Sequence, residues 1–302
     1  PLVVILSLAL IVRFLYFPNN IYFGFDQARD AFSAIEILNG DFKIIGPTTA
    51  FEGLHHGVLY YYILAPLYGL GQMSPEVTAA VWRIFNALGV FLIFYLTTIL
   101  FNKKAAIFSA LLYALSFEQT QFAIFLHHPP LVILSMMLMY LGLAQVIFAK
   151  KNYSLILAFL GLGFSIQFEF PLLYLTIPFV LIILFFHKYF IKIPKKIIFL
   201  SILSFILSIF TFIAAELKYG FPTLNGLLAL SKFNPGKTIE TIINTYLYTV
   251  SMMVRFNFTG AFLEPPTVQL LMVCLFALFV WFLRKEEYRK RLIFLSIWFF
   301  SL

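Results

Sequence analysis

Long apolar runs divide the chain. Stretches near the 17 to 25 residues needed to cross a bilayer occur at Pro1 to Phe17, Val77 to Phe101, Ala105 to Phe125, Pro130 to Ala149, Tyr153 to Phe168, Pro171 to Phe186, Ile197 to Ala215 and Val268 to Leu283. A ninth begins at Leu292. Each predicts a transmembrane helix. The run Val58 to Leu70 is only about 13 residues long and carries Tyr60, Tyr61, Tyr62 and Tyr68, so it predicts a helix lying in the membrane interface. Between the first and second long runs, Ala28, Ala31, Phe32, Ile35 and Leu38 recur with helical spacing and predict a short amphipathic helix from Asp26 to Asn39, stopped at Gly40. A second amphipathic stretch, Ile239 to Met253, predicts another interfacial helix.

Composition sharpens this picture. With 62% apolar residues, 39 of them Phe, and only 11% charged, the chain cannot be a soluble globular domain. Its first and last residues fall inside apolar runs, so a fragment of a longer polytopic protein is expected. Cys274 is the only cysteine, which leaves no disulfide framework and no CxxC metal motif.

The net charge of +8 does not point to nucleic acid, because the basic residues form short clusters between apolar runs: Lys103 and Lys104, Lys150 and Lys151, His187 to Lys196, and Arg284 to Arg291. If Val58 to Leu70 stays in the interface, all four clusters share one side, which the positive-inside rule makes cytoplasmic. Thirteen of the 21 Lys and Arg then lie inside and 11 of the 13 acidic residues outside. Residues 18–76 become a first outer loop and 217–267 a second, within a single transmembrane catalytic domain covering 1–302. No internal repeat is evident.

The outer side holds the candidate chemistry. Asp26, Arg29, Asp30 and Ser33 occupy the polar face of the first amphipathic helix, where Arg29 can keep a carboxylate ionised. A plainer reading makes Asp26 the N-cap. Glu52, His55 and His56 cluster in the following loop and could bind a divalent metal or assist proton transfer. Glu118, Glu169 and Glu216 each lie near the outer end of a span. Together with Arg29, Glu52 and His128 they outline a polar vestibule.

The order of FDQARD, a Gly-Asp, a GP-containing loop, a His before LYYYILAP, and a span opening VWRIFNALGV resembles the membrane-embedded type C glycosyltransferases. Within them it is similar to the protein mannosyltransferase and aminoarabinose transferase relatives. The likeness is dense over residues 1–101, and FLHHPP and SIQFEFP echo it more weakly. Where many relatives have His-Pro-Pro, this chain has His55, His56 and Gly57. The resemblance implies an all-α transmembrane bundle with interfacial helices in the first outer loop. It also implies a polyprenyl-phosphate sugar donor and a lipid, glycan or protein acceptor. Asp26 would be the catalytic carboxylate with Asp30 as helper, and Arg83, with His55 or His56, would hold the donor phosphate. The expected setting is the outer face of a prokaryotic plasma membrane. The alternative is a transporter or flippase for an amphiphilic solute, but transporters concentrate ionisable groups at the midplane and these lie at the outer edge.

Overall fold

The computed structural model describes residues 1–49, 53–233, 239–258 and 265–299. Among them it contains sixteen helices and no strand, an all-α polytopic membrane protein. Short polar residues start several of the helices. Ser74 accepts from the Glu76 amide at 3.3 Å, with Pro75 in the first position, and opens the longest helix of this part of the chain, α4 (Pro75–Leu100), behind α1 (Leu2–Phe14), α2 (Phe25–Leu38) and α3 (Leu59–Leu70). Asn102 caps α5 (Lys103–Leu115) through the Ala105 amide.

Ser116 does the same for α6 (Phe117–Ile124) through the Gln119 amide, so the single apolar run Ala105 to Phe125 is two helices meeting at a serine. Then follow α7 (Pro129–Ala149) and α8 (Ser154–Phe168), packed so closely that a Cβ on Gly142 or Gly161 would meet backbone of the facing helix at 2.5 or 2.4 Å. Small residues at such a seam let helices associate where no hydrophobic effect drives them.

A 3-10 turn, Phe170–Leu175, leads into α9 (Thr176–Phe185), the one-turn α10 (His187–Phe190), α11 (Lys195–Ser208) and α12 (Phe210–Tyr219). The last two form one apolar span bent by 56°. The chain continues through α13 (Pro222–Phe233), the amphipathic α14 (Ile239–Phe258), α15 (Pro265–Leu283) and α16 (Glu286–Phe299). Helices α4, α7 and most of α15 are long and apolar enough to cross a membrane singly, and α11 with α12 do so as a bent pair. By contrast, α3 has 12 residues, about 18 Å at 1.5 Å per residue, well short of a hydrocarbon core.

Two packing details differ from the sequence pattern. The tyrosines of α3 are core residues: Tyr60, Tyr61 and Tyr68 are buried against Ala31, Ala34, Ile37, Ala79 and Trp82, and only Tyr62 reaches outward, to the Lys43 carbonyl at 2.9 Å. On α2 the buried face is Gln27, Asp30, Ala31, Ala34 and Ile37, whereas Phe32 is 69% exposed. Its apolar stripe therefore splits between the protein and the surroundings.

Candidate active site

Helix α2 begins at Phe25 with Gly24 as its N-cap, and the Gln27 side chain accepts from the Gly24 amide at 3.0 Å. Asp26 lies in the first turn and is not the cap, which removes the plainer reading of that residue. A carboxylate there is also favoured by the positive end of the helix. Arg29 bridges both candidate carboxylates, donating from Nη1 to Asp26 Oδ1 at 2.9 Å and from Nε and Nη2 to Asp30 Oδ1 at 3.0 and 2.8 Å. The two acids are unequally presented: the Asp26 side chain is 53% exposed and that of Asp30 only 1%. Burial pushes the Asp30 carboxyl up to about 6 despite Arg29, and its Oδ2 has no partner among the described residues.

A second group assembles from three distant segments. His56 leaves the first loop, His128 is the N-cap of α7, and Glu169 is the C-cap of α8. His128 Nδ1 lies 2.9 Å from Glu169 Oε2, and His56 Nδ1 lies 3.6 Å from Glu169 Oε1. The imidazoles of His56 and His128 face each other at 4.2 Å, and His127 packs on His128 at 3.8 Å. Tyr60 stands edge-on to His128 at 5.7 Å.

Gly57 explains how the loop reaches this position. Its amide donates to the Gln167 carbonyl at 2.7 Å, and a Cβ there would overlap the Gln167 side chain at 1.6 Å. Only glycine allows His56 so close to the end of α8. The FLHHPP turn is fixed by Trp82 Nε1, which donates to the His127 carbonyl at 2.9 Å, and by the Tyr60 hydroxyl, which donates to the Leu126 carbonyl at 3.3 Å.

Burial makes the three histidines poor bases. It lowers His56 and His127 to about 4 and His128 to about 3, while it raises Glu169. At neutral pH the imidazoles are therefore uncharged, and each has one unprotonated ring nitrogen able to accept or to ligate. His127 and His128 both feel the charges of Asp26 and Arg29, so the acidic helix and the histidine group form one electrostatic neighbourhood. His56, His128 and Glu169 are the described residues placed to hold a metal ion.

The remaining sequence candidates fall elsewhere. Arg83 is fully buried, and its guanidinium donates to the carbonyls of Arg13 and Ala79 and to Asn20 Oδ1, each at 3.0 Å, with the Phe17 ring 4.8 Å away. It shares no polar partner with His55 or His56. His55 pairs with Thr48 in an isolated bridge and lines a cleft with Ile44, Thr211 and Pro222. Glu216 caps α13 through the Thr223 amide at 2.9 Å, and Glu118 sits in the first turn of α6. Glu52 lies outside the described residues.

Sequence reasoning assigned nothing to His127, Trp82 or Tyr60. The signal available was FLHHPP itself, a histidine doublet directly before a Pro-Pro helix start.

The sequence model of a family described as dolichyl-phosphate-mannose-protein mannosyltransferase matches residues 55–214, just over half of the chain. No curated protein and no solved structure matches. The matched segment contains His56, His128 and Glu169 and stops short of α2 on its N-terminal side.

Proposed function

Because the chain belongs to the dolichyl-phosphate-mannose-protein mannosyltransferase family, and is thus a membrane glycosyltransferase that uses a polyprenyl-phosphate sugar, we propose that it transfers that sugar to an acceptor hydroxyl at the non-cytoplasmic surface. The acceptor is a lipid, a glycan or a protein. Asp26 takes the proton of the acceptor hydroxyl. The freed oxygen bonds to the anomeric carbon, and the bond from that carbon to the phosphate oxygen breaks, its electron pair leaving with the lipid phosphate.

One observation carries the assignment: Arg29 ties an exposed Asp26 to a buried Asp30 within the field of the histidine group. The exposed acid can meet an acceptor. The buried one holds Arg29 in place, and Arg29 holds Asp26 through the ion pair at 2.9 Å. Four basic clusters on one side of the apolar runs support the outer location, and the short α3 supports its place in the interface.

Arg83 is the candidate clamp for the donor phosphate. To clamp a donor phosphate it would have to exchange Asn20, its side-chain partner, for the phosphate. Its bonds to two main-chain carbonyls favour a structural role. Donor affinity separates the two. If Arg83→Ala protein that still folds binds the polyprenyl-phosphate sugar as tightly as the parent, the arginine is structural.

The reaction itself is tested by reconstituting the full-length protein in liposomes with radiolabelled polyprenyl-phosphate sugars and candidate acceptors. Label should appear in acceptor only when donor is present. Transfer from a nucleotide sugar alone, or solute movement without any transfer, would overturn the reading.

A further inference from the structure

We propose that His56, His128 and Glu169 bind one divalent transition-metal ion of the zinc kind. Acceptors face each other there. The Phe170 amide donates to His56 Nδ1 at 3.2 Å, so this nitrogen presents a lone pair and the ring proton is on Nε2. That lone pair, and not an N–H, lies 3.6 Å from the Glu169 carboxylate. His128 Nδ1 is 2.9 Å from the other carboxylate oxygen and makes no hydrogen bond among the described residues. Two imidazoles and a carboxylate thus converge with no hydrogen bond joining either ring to the acid among the described residues.

No lysine or arginine answers Glu169 among the described residues, and His56 and His128 are both buried. The Glu169 side chain is 26% exposed, so it keeps some water, but a carboxylate set against two ring lone pairs still loses solvation there, and a cation offsets that loss.

The geometry suits a small ion. Ligand atoms from all three residues lie within 4.8 Å of one another. A tetrahedral ion with bonds of about 2.0 to 2.1 Å sets its ligand atoms about 3.3 Å apart, and His128 Nδ1 stands 2.9 Å from Glu169 Oε2 while His56 Nδ1 stands 3.6 Å from Oε1, so small side-chain shifts bring one oxygen and both nitrogens to that spacing. Two imidazole nitrogens and one carboxylate oxygen form a donor set suited to zinc, cobalt or nickel, whereas magnesium and calcium demand oxygen. The ion would take over the His56 lone pair from the long Phe170 contact. It would then tie the first outer loop to the ends of α7 and α8, with a fourth position left for water or a ligand.

This site does not depend on the sugar-transfer reading, because metal uptake is measured without turnover. The full chain, purified in detergent and stripped with a chelator, is titrated with Co2+ and with Zn2+. The expected result is one equivalent bound, a four-coordinate Co2+ absorption spectrum, and no displacement by a large excess of Mg2+. His128→Ala and Glu169→Gln should each weaken binding by at least about 100-fold, beyond what loss of a supporting hydrogen bond costs. His187→Ala, at a histidine on α10 far along the chain, should leave binding unchanged.

His56→Cys guards against variants that fail to fold, since it should keep Co2+ and add a cobalt-thiolate charge-transfer band. No uptake would overturn the site and favour a shared proton. Uptake that survives both ligand variants, follows His187, yields to Mg2+ or shows no thiolate band would overturn it equally.

Discussion

Two buried polar regions of this protein are built on opposite terms. In the seam between α1, α4 and α5, Arg13 donates to Asn86 Oδ1 at 2.6 Å and to the carbonyls of Ala9, Ala114 and Tyr113 at 2.9 to 3.2 Å. Arg83 in turn donates to the Arg13 carbonyl. Both guanidiniums are fully buried and each is surrounded by acceptors. In the outer group, Asp30 Oδ2, His127 Nδ1, His128 Nδ1 and Gln167 Oε1 are buried without hydrogen-bond partners among the described residues. Buried polar atoms are normally paired, so a cluster of exceptions asks for an explanation. A saturated network fixes helices. An unsaturated one leaves room for something the protein does not itself supply.

That contrast predicts that function and stability separate between the two regions. The largest effect should come from Asp26→Asn, which removes the acceptor base while keeping its size. Turnover in liposomes should fall at least about 100-fold, with the unfolding midpoint in detergent unchanged. Near-normal turnover would dismiss Asp26, and a comparable loss confined to Asp30→Asn would move the role there.

Arg13→Ala should behave in the opposite way. It strands two or more buried carbonyls and Asn86, at a cost of about 3 kcal/mol or more, so the folded fraction should drop while the surviving protein transfers sugar at a normal rate. If stability is unaffected, the seam is not the structural region described here.

Acid should probe the outer group. His56 and His127 at about 4 and His128 at about 3 lie below the ordinary 6.5, through burial above all. The unfolded chain takes up protons from about pH 6.5 downward and the folded one does not, so stability is full above 6.5 and is lost as pH falls toward 4. Asp30 acts in the reverse sense, since its raised value costs stability as pH rises through about 6. Burial raises Glu169 as well and lowers His55, so four imidazoles oppose two carboxyls. The melting midpoint of metal-free protein should drop between pH 7 and pH 5, and His127→Gln should flatten the slope. A flat profile in the parent would show that the histidines are not held neutral. The smallest effect is expected of Trp82→Phe, which frees the His127 carbonyl and should cost about 1 kcal/mol, read as a small fall in midpoint.

Much of the bundle was legible from the chain because lipid tolerates only long apolar segments. Even the α2 bounds, predicted at Asp26 to Asn39, moved by a single residue at each end. The break at Ser116 was not legible, since one hydroxyl capping a helix inside an apolar run leaves no trace in a hydropathy pattern. The burial of the α3 tyrosines was missed for a related reason: aromatic rings suit an interface and a core equally, and their neighbours Ala31 and Ala34 come from another helix.

The carboxylates of α2 could be named from spacing alone, but their unequal exposure depends on how α3 covers one side of the helix. The union of His56, His128 and Glu169 is a tertiary event. Gly57 stood out in the sequence only as a departure from the resemblance, and its reason becomes visible only against Gln167.

The outward rings of the first loop carry one more consequence. Phe25 is 84% exposed and flanks Asp26, Phe32 is 69% exposed one turn below Arg29, and Phe42 follows at 71%. With the loop in the interface as proposed, these rings are ballast: lifting α2 into water would wet them at about 25 cal/mol for each Å2 of apolar surface. On that proposal the carboxylates would be moored at a constant depth, and the enzyme would not reach up to its acceptor. The hydroxyl has to come down to the plane of the lipid headgroups, and bulk beyond that plane is free to vary.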